Sequence, residues 1–137
     1  MKLRVGIGLC LLVGLAACDD GMGEFNDARE KWREAAIATY TFDLYEYDYL
    51  APPPTHITVE NGDVTAIAAI RPNRVAGRTL SNAPTIEVLF DKIEEELRSD
   101  DEVTVTWDPT LGFPMLVNFD DGYDNFGFQV ATFQPAP

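Results

Sequence analysis

The sequence has little positive charge. Its 137 residues contain ten Lys and Arg against 23 Asp and Glu, which gives a formal net charge of −13. Nucleic-acid binding needs basic patches that displace counterions from phosphates, so this charge argues against a nucleic-acid partner. The same charge argues against electrostatic docking on anionic lipid.

Histidine and cysteine are also scarce, with one His and two Cys. His56 is the single candidate base for a Ser–His–Asp triad, and no serine stands in the context of a nucleophile elbow. A zinc site needs three or four N, S or O ligands, and a chain with one His and no thiolate does not favour such a site. We therefore expect no catalytic residue, no enzyme activity and no cofactor.

The length allows one domain, and the first residues have the features of a secretory signal. Lys2 and Arg4 precede an apolar run from Val5 to Ala17. This run of thirteen residues is too short for a membrane-spanning helix, which needs about 20 residues. We predict a signal peptide over residues 1–17.

The segment Leu15-Ala16-Ala17-Cys18 resembles a bacterial lipobox, in which the cysteine receives a diacylglyceryl group. The alternative is an ordinary signal peptide with an incidental cysteine. Lipidation, with palmitate among the acyl chains, predicts a membrane anchor at Cys18 that faces the periplasm or the exterior, and two or more acyl chains give stable anchoring. In enteric Gram-negative bacteria, similar lipoproteins with Asp after the cysteine stay in the inner membrane, so Asp19 favours that location.

Processing changes the charge and the thiol count of the mature chain, residues 18–137. Loss of Lys2 and Arg4 leaves eight basic residues against 23 acidic ones, a net charge of −15. Cys10 leaves with the signal and Cys18 becomes a thioether, so we expect no disulfide. Residues 18–26 form the lipidated cysteine and a short tether.

Two segments of the mature chain have helical periodicity. Asp27 and Glu30 have the spacing of a capping box, which predicts a first helix over about residues 27–38. Thr85 is the predicted N-cap of a second helix, which also carries the favourable i,i+4 pair Glu94 and Arg98. Its apolar stripe contains Ile86, Leu89, Phe90, Ile93 and Leu97.

Alternation of apolar and polar residues predicts six strands. The first carries Tyr40, Phe42 and Leu44, and a change of phase at Leu44 and Tyr45 indicates either a β-bulge there or a strand that leaves the sheet. Asn61-Gly62 predicts a type I′ hairpin turn. The inward residues of the other strands are predicted to be Ile57 and Val59; Val64, Ala66 and Ala68; Val103, Val105 and Trp107; Met115, Val117 and Phe119; and Phe126, Phe128 and Val130.

The predicted order is α-βββ-α-βββ, with an irregular loop over residues 71–84. Strands joined by short turns favour antiparallel meanders over βαβ crossovers. The expected fold is a single α+β domain over residues 27–137, in which about six antiparallel strands form a sheet and both helices pack on one face.

The mature chain resembles a bacterial lipoprotein family known as domain of unknown function 6174, over about residues 27–133. The resemblance implies a secreted or lipid-anchored domain and supplies no reaction. It rests on the pieces VENGDV at 59–64, TIEVLF at 85–90, WDPTLGFP at 107–114 and GFQVATF at 127–133.

Three tyrosines alternate with acidic residues after the first strand. Tyr45, Tyr47 and Tyr49 could form a contact surface, because tyrosine combines rigid apolar area with a hydroxyl group. The alternative is cross-strand packing within a bulged sheet.

Two acidic clusters carry similar alternatives. Asp120, Asp121 and Asp124 are a weak candidate for calcium, but their spacing does not fit an EF-hand loop and is typical of a turn. The acidic residues at 94–96 and 100–102 indicate either a solvated surface or a docking patch for a basic partner or a divalent ion.

These features favour a lipid-anchored protein of the cell envelope that acts as a non-catalytic binding or accessory module, with an envelope protein as its expected partner. The alternative is a carboxylate-dependent hydrolase or a calcium-binding envelope protein. With 23 acidic residues, some pair will stand at a glycosidase-like separation by chance, so the number of carboxylates does not favour hydrolysis.

Overall fold

A computed structural model describes residues 21–137. The predicted signal peptide, Cys18 and Asp19 lie outside the described residues. The elements confirm the predicted order: α1 Met22–Ala35, β1 Tyr40–Tyr47, β2 Thr55–Glu60, β3 Asp63–Ala69, α2 Ile86–Leu97, β4 Glu102–Trp107, β5 Pro114–Asp120 and β6 Asn125–Pro135.

The six strands form one open antiparallel sheet in the order β3-β2-β1-β6-β5-β4. β1 pairs with both β2 and β6, so the two meanders meet at the centre of the sheet. One end of the sheet, here called the Tyr47 end, contains the last residues of β1, β3 and β5 and the first residues of β2, β4 and β6. The opposite end, where β1 begins, is called the Tyr40 end.

Both helices pack against one face of this sheet and form its core. Trp32 of α1 contacts Tyr40 of β1 edge to face, and Phe90 of α2 stacks on Trp107 of β4. Arg29 of α1 joins the helices through ion pairs to Asp91 and Glu94. The fully buried side chains include Phe25, Tyr40, Phe42, Leu44, Ile57, Val59, Ile86, Phe90, Ile93, Val117, Phe119 and Phe128.

The predicted start of α2 is confirmed and that of α1 is wrong. Thr85 caps α2, because its hydroxyl oxygen accepts a hydrogen bond from the Val88 N–H at 3.3 Å. α1 begins at Met22, five residues before Asp27, and ends at Ala35, where Ala36 adopts a left-handed φ of 51°. Residues 22–26, predicted as tether, lie in the helix because Phe25 is buried between Phe90 and Trp107.

The bulges do not lie where the alternation predicts them. β1 pairs with β6 through Tyr47, so there is no bulge at Leu44 and Tyr45. The irregularity lies on β6, where Thr132 has a φ of 50°. A second bulge at Thr65 of β3 shifts the phase, so the chain buries Val64 and Ile67 rather than Ala66 and Ala68.

The remaining strand predictions hold with small changes at the ends. Asn61 and Gly62 both have positive φ, 51° and 84°, as a type I′ turn requires. β6 continues to Pro135, five residues beyond Val130, the last of its predicted inward residues. No helix in the described part of the chain is long and apolar enough to cross a membrane.

Candidate functional site

The three predicted contact tyrosines have different surroundings. Tyr45 and Tyr47 belong to β1 on the face opposite Leu44, whereas Tyr49 lies in the turn that follows the strand. Tyr45 is half-buried, Tyr47 is 36 % exposed and Tyr49 is 97 % exposed. They therefore do not form one continuous stripe.

A groove with a volume of about 440 Å³ lies at the Tyr47 end, between the end of β1, the proline segment 52–54 and the loop after β3. We call it the arginine groove. Its lining residues are Tyr45, Glu46, Ala51, Pro52, Pro53, Pro54, Arg71 and Arg74.

Hydrogen bonds hold the two walls of the arginine groove together. Thr55 is 1 % exposed; its hydroxyl group accepts from the Gly77 N–H at 2.9 Å and donates to the Pro53 carbonyl oxygen at 3.2 Å. Gly77 packs closely on the proline segment, since a Cβ there would lie 2.8 Å from the Pro53 nitrogen. The loop is therefore fixed against the segment that it faces.

An ion pair fixes the same loop to β1. Arg78 Nε donates to Glu46 Oε2 at 2.9 Å, and Arg78 Nη2 forms a second bond to Glu46 Oε1. The remaining guanidinium nitrogen donates to the Asn82 carbonyl oxygen at 2.9 Å. Such bidentate pairing gives a defined geometry, so the groove is preformed.

A tight turn presents the two arginines of the groove. The Arg74 N–H donates to the Arg71 carbonyl oxygen at 3.3 Å. Pro72 and the positive φ of Asn73, 60°, are typical of the two central positions of a type II turn. Because the ends of a β-turn lie within about 7 Å of each other, Arg71 and Arg74 start from neighbouring positions.

These two arginines lie in the least acidic part of the chain. Residues 64–86 contain no Asp or Glu, although the whole chain contains 23. Both side chains are exposed, and within residues 21–137 neither forms an ion pair. By contrast Arg29, Arg78 and Arg98 are all paired with carboxylates.

Sequence reasoning missed this site, because it treated residues 71–84 as an irregular loop. Two signals were present in the sequence: the acid-free stretch, and the Arg-Pro-Asn-Arg spacing of a turn with arginine at both ends. The contact of the turn with the proline segment depends on tertiary structure and has no local signal.

His56 lies on the open face of the sheet, directly opposite Asp43. Its Nδ1 atom is 2.6 Å from Asp43 Oδ1. The neighbouring strands place Ala68 beside the histidine and Ala131 beside the aspartate, so both cross-strand neighbours of the pair are alanines. This arrangement joins β1 to β2.

The calcium candidates lie in the turn between β5 and β6. Asp120 accepts a hydrogen bond from the Gly122 N–H at 2.8 Å, and Asp121 accepts from the N–H groups of Tyr123 and Asp124, also at 2.8 Å. The last two bonds lower the pKa of the Asp121 carboxyl group. Among residues 21–137, no three His, Cys, Asp or Glu residues are arranged to hold a metal ion.

At the acidic end of α2, the pKa values of two carboxyl groups are shifted in opposite directions. Glu94 accepts hydrogen bonds from Arg98 and Arg29, and these lower its pKa. Glu96 has its pKa raised to about 6, chiefly by a side-chain hydrogen bond with Asp101. The segment that leads from α2 into β4 is therefore crowded with negative charge.

Comparison with known proteins identifies the domain but no reaction. No curated protein and no solved structure matches the chain. The model of a family of unknown function (DUF6174) matches residues 24–134, as the sequence motifs predict, and the chain therefore belongs to this family.

Proposed function

We propose that the chain is a lipid-anchored, non-catalytic binding module of the bacterial cell envelope. The anchor is Cys18, which follows a signal-like segment, and Asp19 favours the inner membrane. The contact surface is the arginine groove, and its ligand carries negative charge.

One observation supports this contact surface. Arg71 and Arg74 form no ion pair within the described residues, although the protein is acidic. Guanidinium groups bind carboxylates and phosphates through directed hydrogen bonds. The turn and the hydrogen-bonded loop position Arg71 and Arg74 at the groove before a ligand binds, which reduces the entropy cost of binding. Tyr45 adds an aromatic ring and a hydroxyl group to the wall.

The non-catalytic role is consistent with the surroundings of the one histidine. His56 is hydrogen-bonded to Asp43, and alanines stand at both flanking positions of that row. In the candidate calcium loop, Asp120 and Asp121 accept hydrogen bonds from backbone N–H groups of their own turn.

Metabolic labelling tests the anchor. Labelled palmitate should enter the wild-type chain and not the Cys18→Ala variant when both are expressed in the host bacterium. Equal labelling of the two chains would overturn the lipid anchor.

Calorimetry tests the groove, with the mature chain in detergent at low ionic strength and with tripolyphosphate and hexaglutamate as probes. We expect the wild type to bind at least one probe and Arg71→Ala/Arg74→Ala to bind it at least about tenfold more weakly, because a charge-assisted hydrogen bond contributes about 1.5–3 kcal/mol. The control Lys31→Ala/Arg33→Ala removes the same charge from α1. Equal losses in both variants, or no binding by the wild type, would refute the site.

A further inference from the structure

The two edge strands of the sheet, β3 and β4, are open to pairing. Among residues 21–137, each of them pairs with a neighbouring strand on one side only. Within the described chain, no backbone hydrogen bond outside the sheet involves residues 63–69 or 102–107. An edge of this kind is a template for another strand.

The directions of the edge strands match each other. β3 runs toward the Tyr47 end, and β4 starts at that end and runs away from it. A second copy placed beside β3, and rotated to follow the twist of the sheet, would therefore place its β4 antiparallel to β3. The helices of both copies would then cover the same face of the extended sheet.

The charges that flank these strands are complementary. β3 leads directly into the turn that carries Arg71 and Arg74. β4 is preceded by Asp100 and Asp101, which follow α2. Both charged segments lie at the Tyr47 end, so sideways pairing brings the unpaired arginines to the crowded carboxylates.

We propose that a second copy of this chain pairs its β4 with β3, and that its acidic segment 100–102 is the anion that Arg71 and Arg74 bind. This inference rests on the proposed function, because it names the partner of the same arginines. The contact is head-to-tail, so it uses two different surfaces and can continue from copy to copy.

The bulges determine which residues of β3 and β4 can pair between two copies. The bulge at Thr65 leaves 66–69 as the regular part of β3, and β4 is regular over 102–106. A pleated pair must place outward residues opposite outward residues. Among the registers that do so, the one that brings Arg71 nearest to the acidic segment sets Ala66 opposite Thr104 and Ile67 opposite Val103, and its continuation sets residue 70 opposite Asp100.

The proposed lipid anchor at Cys18 also favours pairing between copies. Copies anchored through Cys18 are confined to one membrane, which raises their effective concentration. A Cβ built on the first described residue, Gly21, would lie 3.3 Å from Leu97 Cδ2, so the start of α1 lies close to the end of α2. Only two residues separate Gly21 from Cys18, so the proposed anchor keeps each copy close to the bilayer.

The net charge of the chain sets the conditions of pairing. Copies with an excess of carboxylates repel one another at distances beyond contact, and about 0.15 M salt screens that repulsion over roughly 8 Å. The short contacts between arginine and carboxylate persist at this salt concentration. Pairing should therefore be strongest near physiological ionic strength and weaken in about 1 M salt.

Disulfide trapping in membranes tests the register. Ala66→Cys and Thr104→Cys chains with different tags are coexpressed and oxidised, because residues opposite each other in a strand pair are close enough for a disulfide. We expect a cross-link between the two chains and none when either variant is expressed alone. A Leu116→Cys chain, which carries its thiol on the same open face but away from the edges, serves as the control partner for Ala66→Cys.

The alternative pairings give different products. Cross-linking of Ala66→Cys with itself would indicate a symmetric β3–β3 dimer and would overturn the proposal. Absence of the mixed cross-link, or an equal yield with Leu116→Cys, would do the same. Polyanion binding that persists without the cross-link would leave the proposed function standing and remove only the second copy as partner.

Charge reversal distinguishes the loss of the proposed arginine–carboxylate contact from a general loss of folding. Arg71→Glu/Arg74→Glu on the Ala66→Cys chain should lower the cross-link yield about tenfold. Asp100→Arg/Asp101→Arg on the Thr104→Cys chain should restore most of it. A low yield with both reversals present, in chains whose circular dichroism matches the wild type, would refute the charge pairing.

Discussion

Tyr47 of β1 lies directly opposite Gly127 of β6, and its hydroxyl group donates a hydrogen bond to Val117 on the next strand. The tyrosine ring passes over the glycine, since a Cβ at Gly127 would lie 2.6 Å from the Tyr47 hydroxyl oxygen. One side chain therefore links three strands. Packing within the sheet is therefore one role of this tyrosine.

The absence of a side chain at position 127 should be essential for that arrangement. A methyl group there would meet both the Tyr47 ring and the Val117 carbonyl oxygen. We expect Gly127→Ala to lower the free energy of unfolding by about 1–3 kcal/mol or more in urea denaturation. In the control Gly122→Ala, the added Cβ meets nothing within 4 Å, and only the left-handed φ of 88° costs about 1–2 kcal/mol. Equal stability of Gly127→Ala and the wild type would show that the ring does not cover the glycine.

The remaining tyrosines should differ in their effect on stability. Tyr47→Ser should destabilise the fold by about 1 kcal/mol or more, because it removes both the cross-strand packing and the bond to Val117. Tyr49→Ser should change stability by less than about 0.5 kcal/mol, since Tyr49 is 97 % exposed. Thermal denaturation of the two variants would contradict this assignment if Tyr49→Ser lowered the melting temperature as much as Tyr47→Ser.

The elements that depend on one continuous segment of the sequence were predicted correctly. Thr85 and the apolar stripe of α2 are read from one segment, and Asn61-Gly62 specifies its hairpin without help from the rest of the chain. The start of α1 had no such signal. Gly21 caps it without a side-chain bond, and the helix is fixed by the burial of Phe25 against α2 and β4.

The parts of the site that could not be predicted depend on distant contacts. The bulge at Thr65 turns Ala66 and Ala68 outward although their alternation matches an inward face. The arginine groove requires Thr55 and Gly77, 22 residues apart, to meet. Neither position has a residue type that marks it in the sequence.

Tyr40 should make the fold sensitive to high pH. Its hydroxyl group accepts from the Ile86 N–H at 2.9 Å and donates to Glu87 Oε2 at 3.2 Å. Burial raises its pKa well above the ordinary value of 10, and the negative charge of Glu87 adds to this. Because the folded pKa lies above the unfolded one, the stability is present below pH 10 and is lost as the pH rises beyond it.

Urea denaturation at pH 8 and pH 10.5 measures this effect. Tyr40→Phe should be less stable than the wild type by about 1–3 kcal/mol at pH 8, because the Ile86 N–H loses its acceptor. The difference should shrink at pH 10.5. Tyr123→Phe, at a position 95 % exposed, should match the wild type at both values. A constant difference between Tyr40→Phe and the wild type would refute the titration of Tyr40.

The start of α1 sets the length of the proposed tether between Cys18 and the domain. Phe25 is 1 % exposed and contacts Phe90 and Trp107 with ring centroids 6.0 and 6.1 Å away, so residues 22–26 belong to the domain. We expect Phe25→Ala to lower the free energy of unfolding by about 3–5 kcal/mol, as for other buried aromatic side chains. The adjacent Asn26→Ala, at an exposed position, should have an effect below about 0.5 kcal/mol. If chemical denaturation showed similar small effects for both variants, residues 22–26 would act as a linker, and the proposed tether would be longer than two residues.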